Sequence, residues 1–204
     1  MALRVDHTVT SGTFSLDGET FDVDNNVWVI GSSEECVVID APHDVDAILN
    51  VVDGRKVVAI LLTHAHDDHV RVAPDLAHAT GAPLALHQDD HIVWSLTHTG
   101  VIPHQALQDG QVLTVAGEEI HVLHTPGHSP GAVCFYVPSL GAVFTGDTLF
   151  QGGPGATGRS FSDRPTIEQS IREKLFELPG DTVVHTGHGP DTTIAAEVFQ
   201  FGGH

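Results

Sequence analysis

The segment Thr63-His64-Ala65-His66-Asp67-Asp68-His69 places three imidazoles and the carboxylate of Asp68 within six positions, directly after the apolar run Val57–Leu62. Groups of this kind held at the end of a buried strand each need a polar partner. A cation supplies one. His64 and His66 can face one way from a loop while Asp68 and His69, displaced by the turn, face a second position a few ångströms away, which suits two metal ions. Three further fragments carry matching groups: Thr125-Pro126-Gly127-His128-Ser129, Thr145-Gly146-Asp147-Thr148 and Thr186-Gly187-His188-Gly189, each again after an apolar run. Two divalent ions about 3.5–4 Å apart share a water and lower its pKa until hydroxide exists at neutral pH. They also polarise a carbonyl and stabilise the oxyanion formed from it, so no Ser or Cys nucleophile is required. With nitrogen and oxygen donors and no thiolate, zinc, iron and manganese all qualify, zinc being the first expectation.

The elements that must position these loops are short. Val27–Ile30, Cys36–Ile39, Val57–Leu62, Leu84–Leu86, Val112–Val115, Ile120–Leu123, Ala132–Val137, Ala142–Phe144 and Thr182–Val184 read as strands, apolar on consecutive residues and therefore covered on both faces. Helices are expected at Val45–Val52, Val70–Ala79, Thr166–Leu178 and Thr193–Phe199, with Asp163 to Pro165 as a start signal and Pro179-Gly180 as a stop. Gly and Pro are expected between elements. Strand-end loops that deliver His or Asp to one rim hold ligands more firmly than long loops can. The expected fold is a single α/β domain over residues 1–204, two packed sheets flanked by helices.

Composition narrows the function. Eight Lys and Arg against 27 Asp and Glu give a formal charge of -19 over 204 residues, which repels phosphate backbones and anionic membrane surfaces. No stretch has the length of a membrane span, and the N-terminus lacks a basic start followed by an apolar run. The expectation is a cytoplasmic protein with neither nucleic acid nor membrane as partner. Cys36 and Cys134 lie in apolar runs without ligand-like spacing and read as buried free thiols. Among the 16 histidines, those outside the four fragments, His204 included, read as solvated or hydrogen-bonded. Asp67 reads as solvated or loop-capping.

In order and in flanking glycines, the four fragments resemble the metallo-β-lactamase superfamily, and most closely its glyoxalase II-like branch, from about Asn26 to His188. The resemblance implies a four-layer αββα sandwich of two mixed sheets. It assigns His64, His66 and His128 to one metal and Asp68, His69 and His188 to the other, with Asp147 bridging. Asp68 and Asp147 become the carboxylates that act with metal-bound hydroxide. Asp40, closing Val37-Val38-Ile39-Asp40, matches a family position that braces the ligand loop from behind; on spacing alone, a strand-end turn residue is an equal reading.

Asp147 resembles the hydrolase and glyoxalase branches, since β-lactamases commonly carry Cys or Ser at that place. The charge disfavours the RNA-processing branch. Thioester hydrolysis fits best, because a thiolate leaves without needing a proton. The alternatives are a persulfide dioxygenase with one iron on the equivalents of His64, His128 and Asp147 and, in another class, a non-catalytic metal-binding protein. Against the latter stand two arranged sites sharing a carboxylate. Glyoxalase II carries a further C-terminal helical domain that helps to hold glutathione, whereas sixteen residues follow His188 here, so no such domain is expected. Arg159 and Arg164, in and after the Gly-rich segment that follows Asp147, are candidate substrate contacts. So few cations favour a small thioester of an uncharged thiol such as mycothiol, consistent with a composition typical of high-GC genomes. The oligomeric state is left open.

Overall fold

In the computed structural model, which describes residues 3–201, two six-stranded sheets lie face to face. His204 lies outside the described residues. The first sheet follows chain order: β1 (Arg4–Leu16), β2 (Glu19–Gly31), β3 (Glu35–Ile39), β4 (Lys56–Leu61), β5 (Leu84–His87) and β6 (Gln105–Leu107). β1 to β3 are antiparallel and β3 to β6 parallel. The second takes β7 (Val112–Val115), β8 (Glu118–His124), β9 (Val133–Val137) and β10 (Ala142–Gly146). After a small ribbon, β11 (Leu149–Phe150) and β12 (Gly153–Pro154), it is completed by β13 (Val183–Thr186) and β14 (Thr192–Thr193). Its spatial order is β14-β13-β10-β9-β8-β7, with β10 and β13 parallel.

Consecutive apolar residues go to different cores, as continuous runs require. In β3, Cys36 and Val38 join an outer core while Val37 and Ile39 join the central one. In β10, Ala142 and Phe144 are central and Val143 is outer. The outer core of the first sheet is roofed by α1 (Val45–Val52), α2 (Asp67–Val70), α3 (Ala73–Thr80) and α4 (His91–Thr97), through Ile48, Val70, Leu76 and Trp94. That of the second sheet is roofed by α5 (Arg164–Ser170), the π-helical stretch Ile171–Leu175 and α6 (Ile194–Phe201). The result is the expected αββα sandwich. Cys36 and Cys134 are free, buried and in opposite outer cores. Among the described residues, no helix is long and apolar enough to cross a membrane.

Several elements differ from the sequence reading. The hairpin of β1 and the first half of β2 was not expected, nor were α4 and β6. Val70–Ala79 is two short helices, α2 and α3, and Pro74 occupies the first turn of the second, where a missing N–H is tolerated. The helix expected at Thr166 starts at Arg164, capped by the Asp163 carboxylate, which accepts from the Thr166 N–H at 2.9 Å, and gives way to the π-helical stretch at Ile171. Gly12 lies inside β1 rather than between elements, because a Cβ there would meet the His43 ring.

Candidate metal centre

Four strand ends meet at one rim of the sandwich. β4 runs into the loop carrying His64 and His66, and α2 then turns Asp68 and His69 toward a second position. The loop after β8 supplies His128, the end of β10 supplies Asp147, and the end of β13 supplies His188. Because β10 and β13 are parallel neighbours, Asp147 and His188 emerge side by side, fixed by the Gly187 N–H donating to the Gly146 carbonyl at 2.8 Å. Residue 187 has to be glycine: a Cβ would run into the Asp147 carboxylate and the His69 ring.

The seven side chains form two sets. In the first, His66 Nδ1 stands 3.1 Å from His64 Nε2 and 3.0 Å from His128 Nε2. In the second, His188 Nε2 lies 3.2 Å from both Asp68 Oδ2 and His69 Nε2. Asp147 reaches both, with Oδ2 3.5 Å from His128 Nε2 and 3.4 Å from His188 Nε2, and Oδ1 3.2 Å from His69 Nε2. Donor atoms about 2.0–2.1 Å from one ion, at right to tetrahedral angles, stand roughly 2.9–3.4 Å apart, close to these spacings.

Hydrogen bonding agrees with that fit. His128 Nδ1–H donates to the Ala156 carbonyl at 2.8 Å and His188 Nδ1–H to the Asp24 carbonyl at 2.7 Å, so each ring turns its Nε2 inward. The three nitrogens of the first set cannot satisfy one another as donors and acceptors, and the buried Asp147 Oδ1 has no hydrogen-bond partner. The arrangement is a dinuclear metal-binding site.

A model of the metallo-beta-lactamase superfamily matches residues 20–188. The chain belongs to this superfamily. It is 35% identical over 191 residues to the probable metallo-hydrolase YqgX of Bacillus subtilis, covering 86% of this chain and 90% of that one. It is 31% identical over 186 residues to the hydroxyacylglutathione hydrolase GloC of Haemophilus influenzae, covering 84% and 87%. Among solved structures it is similar to the BLEG-1 B3 metallo-beta-lactamase, with TM-score 0.81, 30% identity, and coverage of 94% of this chain and 100% of that one. It is also similar to TTHA1623 in a di-iron-bound form, with TM-score 0.78, 33% identity and coverage of 93% and 96%.

Electrostatics separates the two sets of this superfamily member. Burial keeps His64 and His66 neutral, His66 down at about 3, with neighbouring imidazoles adding to the effect. Burial opposes charge on His188 too, but the Asp147 carboxylate and hydrogen bonds to Asp147 and Asp68 outweigh it and hold the ring at about 10. His69 is likewise raised against its own burial by Asp147, Asp68 and Asp40. Asp68 resists its burial through His69 and His188 and stays ionised down to about 2.

Asp40 is 2% exposed and holds the second set from behind. Its carboxylate accepts from His69 Nδ1–H at 2.8 Å, from the Thr63 N–H at 2.7 Å and from the Thr63 hydroxyl at 2.8 Å. Its φ of 61° is the left-handed conformation that Asp tolerates better than most residues, as a strand-end turn requires. Asp67 is not merely solvated. It accepts from the Ser15 N–H at 3.0 Å and pairs with Arg71 at 2.5 Å, tying the β1–β2 hairpin to α2.

Asn25 was missed by the sequence reading. Fully buried on β2, it donates to Asp68 Oδ2 at 3.0 Å and accepts from His43 Nε2–H at 2.9 Å. An Asn-Asn pair opening a buried apolar run was its only signal. The two candidate arginines are already engaged. Arg159 pairs with Glu19 at 2.7 Å and lies 4.7 Å over the Phe21 ring of the hairpin, and Arg164 pairs with Glu168 at 2.6 Å. Neither lines the cleft of about 340 Å³ beside Asp147 and His188, whose other walls are Phe150, Gln151, Ala156, Gly189 and Pro190.

Proposed function

We propose that the chain is a thioester hydrolase that acts on a small acyl thioester of an uncharged low-molecular-weight thiol, mycothiol being one such carrier. His64, His66 and His128 would hold one divalent ion and Asp68, His69 and His188 the other, with Asp147 between them, zinc first and iron or manganese as alternatives. When bound, such a pair supplies a hydroxide nucleophile at neutral pH and a Lewis acid for the carbonyl oxygen.

The observation that carries this reading is the cleft. Apart from Asp147 and His188, its lining holds no group that titrates, so a leaving group that needed protonation would find no general acid there. A thiolate needs none. Phe150, Ala156 and Pro190 give the acyl part an apolar wall, and Gln151 offers a neutral hydrogen-bonding group to the carrier. Among the described residues the lining has no Lys or Arg for a carboxylate-bearing carrier such as glutathione, and both nearby arginines already hold glutamates. The name of GloC supports hydrolysis of this ester type, though with a different thiol.

The test is kcat/KM of zinc-, iron- and manganese-reconstituted protein on matched acyl thioesters of a neutral thiol and of glutathione. A chromogenic cephalosporin and a persulfide in an oxygen electrode are the competing substrates. Preference for the neutral thioester is expected. Faster turnover of the cephalosporin, or oxygen uptake with the persulfide, would remove the thioesterase reading, and a preference for the glutathione ester would remove the uncharged carrier.

A further inference from the structure

Asp90 ends the short 3-10 turn Gln88–Asp90 between β5 and α4 and is fully buried. No basic side chain pairs with it among the described residues. Its carboxylate instead gathers donors from two loops. The Ala65 N–H reaches Oδ2 at 2.6 Å, the Ser129 hydroxyl stands 2.8 Å from both oxygens, and the Gly131 N–H reaches Oδ1 at 2.5 Å. Ala65 lies between His64 and His66, and Ser129 follows His128, so the residues that it holds flank all three members of the first set. The approach at Gly131 is so close that a Cβ there would strike Asp90.

From this placement we infer that Asp90 is a positioning residue for the three-imidazole set, with the role that Asp40 has for the second. The two act differently. Asp40 touches a ligand ring as well as Thr63, whereas Asp90 touches no ligand ring, fixes the backbone on either side of the ligands and sets the distance between the loop after β4 and the loop after β8. An ionised carboxylate offers only acceptors and suits three donors, but an amide would turn an NH₂ group against one of them. The inference rests on the metal assignment of His64, His66 and His128.

The test is a zinc titration against a chromophoric chelator, made in two backgrounds that leave one set each: His188→Ala, which keeps the first, and His66→Ala, which keeps the second. Asp90→Asn is expected to weaken zinc binding about 10- to 100-fold in the first background, as supporting hydrogen bonds to ligands commonly do, and by less than about threefold in the second. Ser129→Ala, which removes a single hydroxyl, should weaken the first set alone by a smaller factor. Circular dichroism of each metal-free variant checks folding, and if Asp90→Asn does not fold then Ser129→Ala decides. Unchanged affinity of the first set, or an equal loss in both backgrounds, would overturn the role of Asp90. A parent His188→Ala protein that binds no zinc would instead overturn the metal assignment beneath it.

Discussion

His64, His66 and His128 form a set of imidazoles in which burial keeps His64 and His66 neutral, whereas His69 and His188 are held protonated by Asp68 and Asp147. Both sets lie at one rim and share a carboxylate, yet they present different faces to an arriving cation. In the first, His64 and His66 offer lone pairs directly. The second offers two carboxylates whose charge is already balanced by protons, so a metal must displace those protons to enter. Position in the fold therefore does not make two neighbouring sites equivalent, and the difference comes from how many carboxylates surround each imidazole.

The variant that breaks the contrast altogether is Asp147→Ala, since Asp147 sets carboxylate oxygens within 3.5 Å of donor nitrogens in both sets. It is expected to lower activity by more than the roughly 100-fold upper cost of losing a supporting contact, and to reduce the metal content of both sets in elemental analysis after reconstitution. Near-normal turnover with two ions bound would show that Asp147 does not bridge.

Proton release sharpens the contrast next. His188 keeps its proton below about pH 10, so filling the second set at pH 8 should release protons, and its affinity should fall about tenfold per pH unit for each proton displaced as pH is lowered toward 6. His66, in the first set, adds no proton release over that range, because it takes up a proton only near pH 3. Calorimetric titrations in buffers of different ionisation enthalpy measure both, and equal proton release at the two steps would contradict the contrast. Asp40→Asn is expected to weaken the second set about 10- to 100-fold and the first set, which Asp40 reaches only through Thr63, by less, as read by stepwise zinc titration.

The smallest effect is expected at Arg159, outside both sets. Arg159→Ala should cost about 1 kcal/mol in urea unfolding, the scale of one part-exposed ion pair with an aromatic contact, and leave kcat unchanged. A large rise in KM without loss of stability would return Arg159 to the role of substrate contact.

The sandwich and the ligand loops were legible because both announce themselves locally. Runs such as Cys36–Ile39 are apolar on consecutive residues, and histidines crowded directly after Val57–Leu62 need a cation to satisfy them together. β1 escaped because it is a largely polar strand with a mostly intermediate or exposed burial pattern, and a search for continuous apolar runs passes over it. Its turn was nevertheless written in the sequence: Asp17-Gly18, with φ of 55° and 80°, is the strongest dipeptide signal for a two-residue hairpin loop. Asn25 and Asp90 were illegible for another reason. Their importance lies in partners 43 and 25 to 41 positions away, and their immediate neighbours carry little of it, an Asn-Asn pair for Asn25 and an ordinary acidic turn for Asp90.

The distances along the chain between these partners have a consequence for how the protein reaches its native state. His66 and His128 are 62 positions apart, His69 and His188 are 119, and the Asp24 carbonyl that orients His188 lies 164 positions from it. Contacts of such separation form only after long loops have closed, which places them late in folding. The metal-binding rim is thus a seam that exists once both sheets have docked. An ion that binds the folded chain but not the unfolded one adds its binding free energy to that last step. The central apolar core already joins the two sheets, so the ion's share of that step falls on the rim and its loops rather than on the sandwich as a whole.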